Sequence, residues 1–249
     1  MARRKLTDTS HPDLTLTDDY WLTWGDDPQP PMRLKILYLT FEEVAKVGPG
    51  AFNVASVCDR LGVTYPMVNH YFGNRDGLLA EGAYLLYQRY IAALWDAVAA
   101  APLDPVERLR AWMWAQVNWT RQMAGWGAVL NYPAASLNVS MIMERTFRQD
   151  MQQAFEYNIA RLAILVSDVR AGSVSRPTIT PGDIDKATLL SDQKLITLTS
   201  SVAFSTLGVS VWNAGQHFPS SKIPELADYQ TSMIEGHIDH VIGSLTKVD

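Results

Sequence analysis

The sequence predicts an all-α protein with a small N-terminal three-helix domain and a larger helical C-terminal domain. Three observations carry that expectation. Apolar residues recur at helical spacing almost throughout, strand alternation bounded by hairpin turns is absent, and Gly, Pro, Asn and Thr stand where helix ends need them.

The elements follow in order. Residues 1–32 form an acidic, proline-punctuated extension ending PQPP, read as partly disordered or as an extra short helix. Its Tyr20-Trp21-Leu22-Thr23-Trp24 is too apolar to stay in water and is expected to fold back onto the body or onto a partner subunit. Residues 33–80 are the first domain and 81–249 the second. Within 33–47, Ile36, Leu37, Thr40, Phe41 and Val44 form one apolar stripe, and Gly48-Pro49-Gly50 is expected to stop the helix. Asn53 suits the N-cap of a short helix carrying Val54, Val57, Cys58 and Leu61 inward, and Gly62 stands where a left-handed residue closes it. Thr64 can cap the next helix, with Tyr65 and Pro66 in its first turn, where proline's missing N–H has no intrahelical partner to lose. Asn74 is read as the cap of a long helix reaching about Ala101. Helical pieces then follow at 105–123, 133–171, 184–214 and 224–246, with GSVSRPTITPGD as a loop. The last two are apolar on more than one side, so they are expected to bury one face in the subunit and another in a second copy.

Composition bounds what these helices can do. With 47% apolar and 19% charged residues, 249 residues suffice for a large core. No apolar run approaches the ~20 residues of a membrane span, and MARRKLTDTSHPD lacks a signal peptide's apolar stretch, so no membrane partner and a cytoplasmic location are expected. The single Cys58 excludes an internal disulfide; its inward position makes it packing rather than a redox switch. Net charge is −5, and only residues 33–80 are slightly positive. Any nucleic-acid contact must therefore use a small, well-aimed surface.

Two short helices joined by Leu61-Gly62-Val63-Thr64 have the form of a helix-turn-helix, with Gly62 making the turn and Val63 plugging the core beneath it. From Ile36-Leu37 through Val44 to Gly48, then Val54, Val57-Cys58, Leu61-Gly62-Val63-Thr64, His70-Tyr71-Phe72, Arg75 and Leu78-Leu79, the ungapped pattern resembles the DNA-binding domain of tetracycline-repressor (TetR) family regulators. The resemblance implies a homodimer whose recognition helices enter successive major grooves of a palindromic operator, and a second domain that binds a small effector. Carried over position by position, Thr64, Tyr65, Tyr71 and Arg75 fall where the family contacts phosphates. Pro66, Met67 and His70 belong to the same DNA-facing helix, Met67 and His70 where side chains reach base edges. Asn53 and Ala55 stand at the start of the preceding helix. Asn69 departs from the pattern: the family generally has a tyrosine there that braces on the DNA backbone. The recognition helix also has no Lys or Arg, which lowers the expected affinity and salt dependence.

Other residues divide between a sharp and a bland reading. Trp112, Gln116, Trp119, Thr120, Met123, Trp126, Asn131 and Phe155 are candidates for the lining of a pocket for a largely apolar effector. Filled core is the alternative; Gln116, Thr120 and Asn131 tilt the reading toward a pocket, because polar groups on an apolar face need partners. His237 and His240 share a helix face, yet no third ligand stands at metal spacing, so no metal and no cofactor are expected. Arg3-Arg4-Lys5 is a minor-groove arm or an idle tail.

The function expected is a ligand-responsive regulator, acting as a repressor, that binds its operator as a homodimer through the helices near 184–214 and 224–246. The alternative is a dimeric small-molecule-binding protein with weak or lost DNA binding. No nucleophile elbow, phosphate-cradling glycine loop or histidine–carboxylate pair at plausible spacing supports an enzyme.

Overall fold

A computed structural model describes residues 31–123, 126, 137–180, 184–215 and 224–246. The basic triplet at 3–5, the aromatic cluster at 20–24 and Asn131 lie outside these residues.

The local signals produce the elements. Helix α1, Met32–Ala51, buries Ile36, Leu37, Thr40, Phe41 and Val44, together with Leu39. At Gly48 its backbone leaves helical geometry, φ 76° and ψ 165°, and one further turn follows instead of a stop. Helix α2, Val54–Leu61, starts at Asn53, whose side chain accepts from Ala55 N at 2.9 Å. It ends at Gly62, φ 65°, and the N–H of Val63 closes onto Cys58 O at 3.0 Å. A side chain at that φ would cost about 1–2 kcal/mol, which is why glycine makes the turn. Helix α3, Tyr65–Phe72, is shorter than any helix that holds itself together in water, so its stability comes from Val68 and Phe72, both buried. Thr64 takes the N-cap position with extended backbone, but its hydroxyl makes no capping bond. Helix α4, Arg75–Ala100, begins where Asn74 Oδ1 accepts from Gly77 N at 2.8 Å.

The later helices are more broken than their periodicity suggests. The stretch expected at 133–171 contains α6, Leu137–Thr146, and α7, Arg148–Ala171, parted at Phe147. The stretch expected at 184–214 becomes α8, Lys186–Ser191, and α9, Gln193–Gly215. Asp192 separates them because its Oδ1 accepts from Leu195 N at 2.9 Å and caps α9. Between α4 and α6 lies α5, Pro105–Gln122, and the chain's last described helix is α10, Pro224–Leu245.

The chain divides into two compact units, and the cut does not follow the 80/81 boundary. The first comprises 1–89 and 123–151, the second 90–122 and 152–249. In the first, α2 packs on α1 and α3 on α2, around Ile36, Leu37, Val44, Val57, Val68 and Phe72. Segment 123–151 joins it through Trp126 and through Phe147, whose ring stacks on Tyr84 at 4.3 Å. In the second unit α9 runs along α5, and α10 packs on both. Arg108 and Asp168, each 2% exposed, tie the loop after α7 to α5. Arg108 donates to Arg176 O at 2.8 Å and Pro177 O at 3.0 Å, while Asp168 Oδ1 accepts from Ser175 N at 3.0 Å.

Candidate functional site

Helix α3 shows how two inward residues aim six outward ones. Val68 and Phe72 lie four apart on one face, 0% and 1% exposed, and fix the roll of the helix. Thr64, Tyr65, Pro66, Met67, Asn69 and His70 are thereby left exposed, with Tyr71 half-buried. Tyr65 at 45% and Met67 at 39% stand among the large side chains that the fold leaves to water. Asn53 and Ala55, exposed at the start of α2, are spoken for locally by their capping bond. The His70 ring meets the Tyr71 ring edge-on at 5.4 Å, which restrains both.

The cations of this unit are mostly committed inside it. Arg75 Nε donates to Phe52 O at 3.3 Å, its NH2 to Pro49 O and to Phe52 O, and its NH1 approaches Asp76 at 3.4 Å. The guanidinium therefore holds the α1–α2 turn against the start of α4. Arg60 pairs with Glu42 at 2.6 Å. Arg33 pairs with buried Glu81 and lies over the Phe72 ring at 5.1 Å, steadying the base of α3. Burial pushes the Glu81 carboxyl above the usual range, with Arg33 acting against it. Sequence reasoning missed these anchoring roles of Arg33 and Arg75, since they depend on carbonyls and rings brought in from other helices. Cys58 is buried, and burial pushes its thiol up, away from the reactive thiolate.

The candidate effector residues separate into groups. Trp112, Gln116, Trp119 and Thr120 lie on one face of α5 in the second unit, each less than 9% exposed. Thr120 donates to Gln116 O at 2.8 Å, so its hydroxyl is satisfied within the helix. Trp119 leans on Tyr90, ring centres 5.0 Å apart, whereas the Trp112 indole N–H has no acceptor. Phe155 is 53% exposed on α7.

Met123 and Trp126 belong to the other unit. The Trp126 N–H donates to Phe41 O at 3.0 Å and its ring meets the Phe41 ring edge-on at 5.7 Å. A Cβ added at Gly82 would come within 2.9 Å of the indole, so glycine opens this slot. Trp126, named with the α5 residues as a candidate pocket lining, instead packs against Phe41 of α1 and Gly82 of α4. The sequence carried one faint sign of it in a helical glycine, because Gly inside a helix costs about 1 kcal/mol and often marks a close approach.

On α10 the His237 ring is half-buried with Nε2 unpartnered, and burial, helped by His240, lowers its pKa. Among the described residues no group of three or more metal-ligating side chains gathers there or elsewhere.

Three comparisons with known proteins bear on this geometry. Residues 36–81, which span the α1–α3 core and the first turns of α4, match the family model of bacterial regulatory proteins, tetR family. That match makes residues 36–81 a TetR-type regulatory domain. Relatives include the HTH-type transcriptional regulator BetI of Stenotrophomonas maltophilia, 30% identical over 83 residues, 33% of this chain and 42% of the relative. BetI of Burkholderia ambifaria is 33% identical over 79 residues, 32% of this chain and 41% of the relative. BetI 1 of Chromohalobacter salexigens is 33% identical over 82 residues, covering 33% and 39%. This chain thus spans about two-fifths of the curated relatives it matches. A crystal structure of a regulatory protein, SCO4313, superposes with a TM-score of 0.59 at 16% identity, over 86% of this chain and 100% of the other. That likeness shows a shared helical fold over most of the chain.

Proposed function

We propose that the protein is a ligand-responsive transcriptional regulator that binds a palindromic operator as a homodimer through α3, acts as a repressor, and is modulated by a small effector held in its second unit. The observation that carries the reading is the exposed row Thr64, Tyr65, Met67, Asn69 and His70, aimed by buried Val68 and Phe72. Thr64 and Tyr65, with Tyr71 and Arg75 behind them, are the phosphate side of this row, and Pro66 starts its helix. Met67 and His70, with Asn69, are the base side. Asparagine can read adenine bidentately, which gives Asn69 a specificity role in place of backbone bracing. Asn53 and Ala55 add contacts from the start of α2. Tyr65→Ala or Thr64→Ala should weaken binding to the upstream intergenic DNA in a gel shift; unchanged affinity in both would count against this assignment of roles.

Homodimerisation rests on α9, whose two faces are inverted. Its inward stripe, Leu195, Thr199, Val202, Thr206, Ser210 and Asn213, is mostly polar, while Phe204 is 71% and Trp212 40% exposed. Of its most apolar stretch, only 28% is buried. On α10, Ile234, Ile238, Ile242 and Leu245 face in, leaving Tyr229 62% and Met233 45% exposed. A second copy meeting these faces removes the apolar surface from water and sets two α3 helices one DNA turn apart, ~34–36 Å. Phe204→Glu should convert the dimer to a monomer in light scattering at micromolar concentration, and a dimer that persists unchanged excludes this face.

An effector near Trp112, Gln116 and Trp119 would bias α4, which belongs to both units, and so the separation of the α3 helices. Coupling of this kind amounts to about 1–3 kcal/mol, or 5–150-fold in operator affinity. The cation-poor α3 favours one second reading, a dimeric small-molecule-binding protein with weak DNA affinity. It predicts effector binding with no salt-sensitive retention on DNA.

A further inference from the structure

Arg161 is a cation of the second unit that has no ion-pair partner among the described residues. It lies on α7 with its guanidinium stacked 3.8 Å over the ring of Trp95 and 5.3 Å from the ring of Tyr157. The Trp95 ring cannot move away, because it is 4% exposed and its N–H donates at 2.9 Å to Asn158, itself 7% exposed. Tyr157 and Asn158 stand four and three residues before Arg161 on one helix, so α7 supplies both the lock on the indole and the cation above it.

The opposing charge nearest in effect, Asp96, acts on this cation only from beyond ion-pair distance. Among the described residues no carboxylate lies within ion-pair distance of Arg161, and its buried Nε has no acceptor. Burial works against the charged form, and the positive charge of Arg108 adds to the effect; Tyr157 and Asp96 oppose it. Arg108, itself a cation, is turned away to the carbonyls of Arg176 and Pro177, on which both its terminal nitrogens are spent. A half-buried guanidinium with a free N–H edge and an aromatic floor is the arrangement that binds a planar anion edge-on, two N–H groups to two oxygens. Asp168, the acid that the fold buries in this unit, is held instead at the Arg108 loop clamp, with its nearer contact to Ser175.

We infer that Arg161, on its Trp95–Tyr157 floor, binds a carboxylate or similarly planar anionic group of the effector, which makes the effector an apolar acid and not a purely apolar compound. The inference rests on the effector-binding reading above and names the chemical class it takes. Arg161 supplies the paired donors, Trp95 and Asn158 hold the plane of the guanidinium, and the anion supplies the contact ion pair that Arg161 lacks among the described residues.

The test compares two probes of one shape, benzoate and benzamide, titrated calorimetrically into the full-length protein. Benzoate should bind at least about tenfold more tightly, since a hydrogen bond to a charged partner contributes that much or more. Arg161→Gln should abolish this preference and leave benzamide binding unchanged, while Arg161→Lys should retain part of it; circular dichroism melting shows whether each variant is folded. Should Arg161→Gln fail to fold, the benzoate-to-benzamide ratio of the wild type and of Arg161→Lys decides. Equal affinities for the two probes would overturn the inference and leave the effector reading standing. Absence of binding by both would overturn it too, and the effector reading would then pass to release of operator DNA by cell metabolite extracts.

Discussion

Trp126→Ala is expected to destabilise the protein by about 3–5 kcal/mol, the usual result of emptying a site filled by a large aromatic ring. The indole is 0% exposed, and its loss leaves Phe41 O without its donor as well as a void beside Gly82. Phenylalanine keeps most of the volume and loses the hydrogen bond, so Trp126→Phe should be milder, about 1–2 kcal/mol in total. Denaturant unfolding followed by circular dichroism measures both. A loss below ~1 kcal/mol for the alanine variant would show that the Trp126 ring is not a filled core site.

Arg108→Met should cost about 3–5 kcal/mol for a different reason. It removes the partner of a carboxylate that is 2% exposed and already has one oxygen without a hydrogen bond, leaving a buried charge uncompensated. It also frees the carbonyls of Arg176 and Pro177, so the loop after α7 should become protease-sensitive. The double variant Arg108→Met, Asp168→Leu should recover much of the loss, because replacing both members of a buried pair by apolar groups is often neutral or favourable. If the single and double variants are equally unstable, the clamp acts through packing and not through charge.

These two sites mark where the sequence could be read and where it could not. Asn53, Gly62 and Asn74 are local signals: each acts on backbone within three residues of itself, and each is found doing so. The helix-turn-helix was legible for the same reason, with Val68 and Phe72 deciding which side chains of α3 face outward. Trp126 is fixed by Phe41 and Gly82, Arg75 by Pro49 and Phe52, and Arg161 by Trp95, all partners whose nearness is a product of the fold. A pattern of apolar spacing marks Trp126 as buried but does not say against which helix. The breaks at Phe147 and Asp192 were hidden because apolar periodicity continues across them. On α9 apolar periodicity did not say which face the subunit covers: the inward stripe is mostly polar, while Phe204 and Trp212 are exposed.

The central claim is that α3 reads DNA despite having no lysine or arginine. Selection of genomic fragments by the purified full-length protein, followed by sequencing of what is retained, tests it most directly. The account predicts enrichment of a palindromic site whose half-sites lie one helical turn apart, 10–10.5 base pairs, or a multiple of it. Retention should fall only shallowly as salt rises, because few phosphates are neutralised by cations, and should vanish in Tyr65→Ala. Recovery of no enriched sequence, or of the same sequence by Tyr65→Ala with undiminished yield, would contradict it.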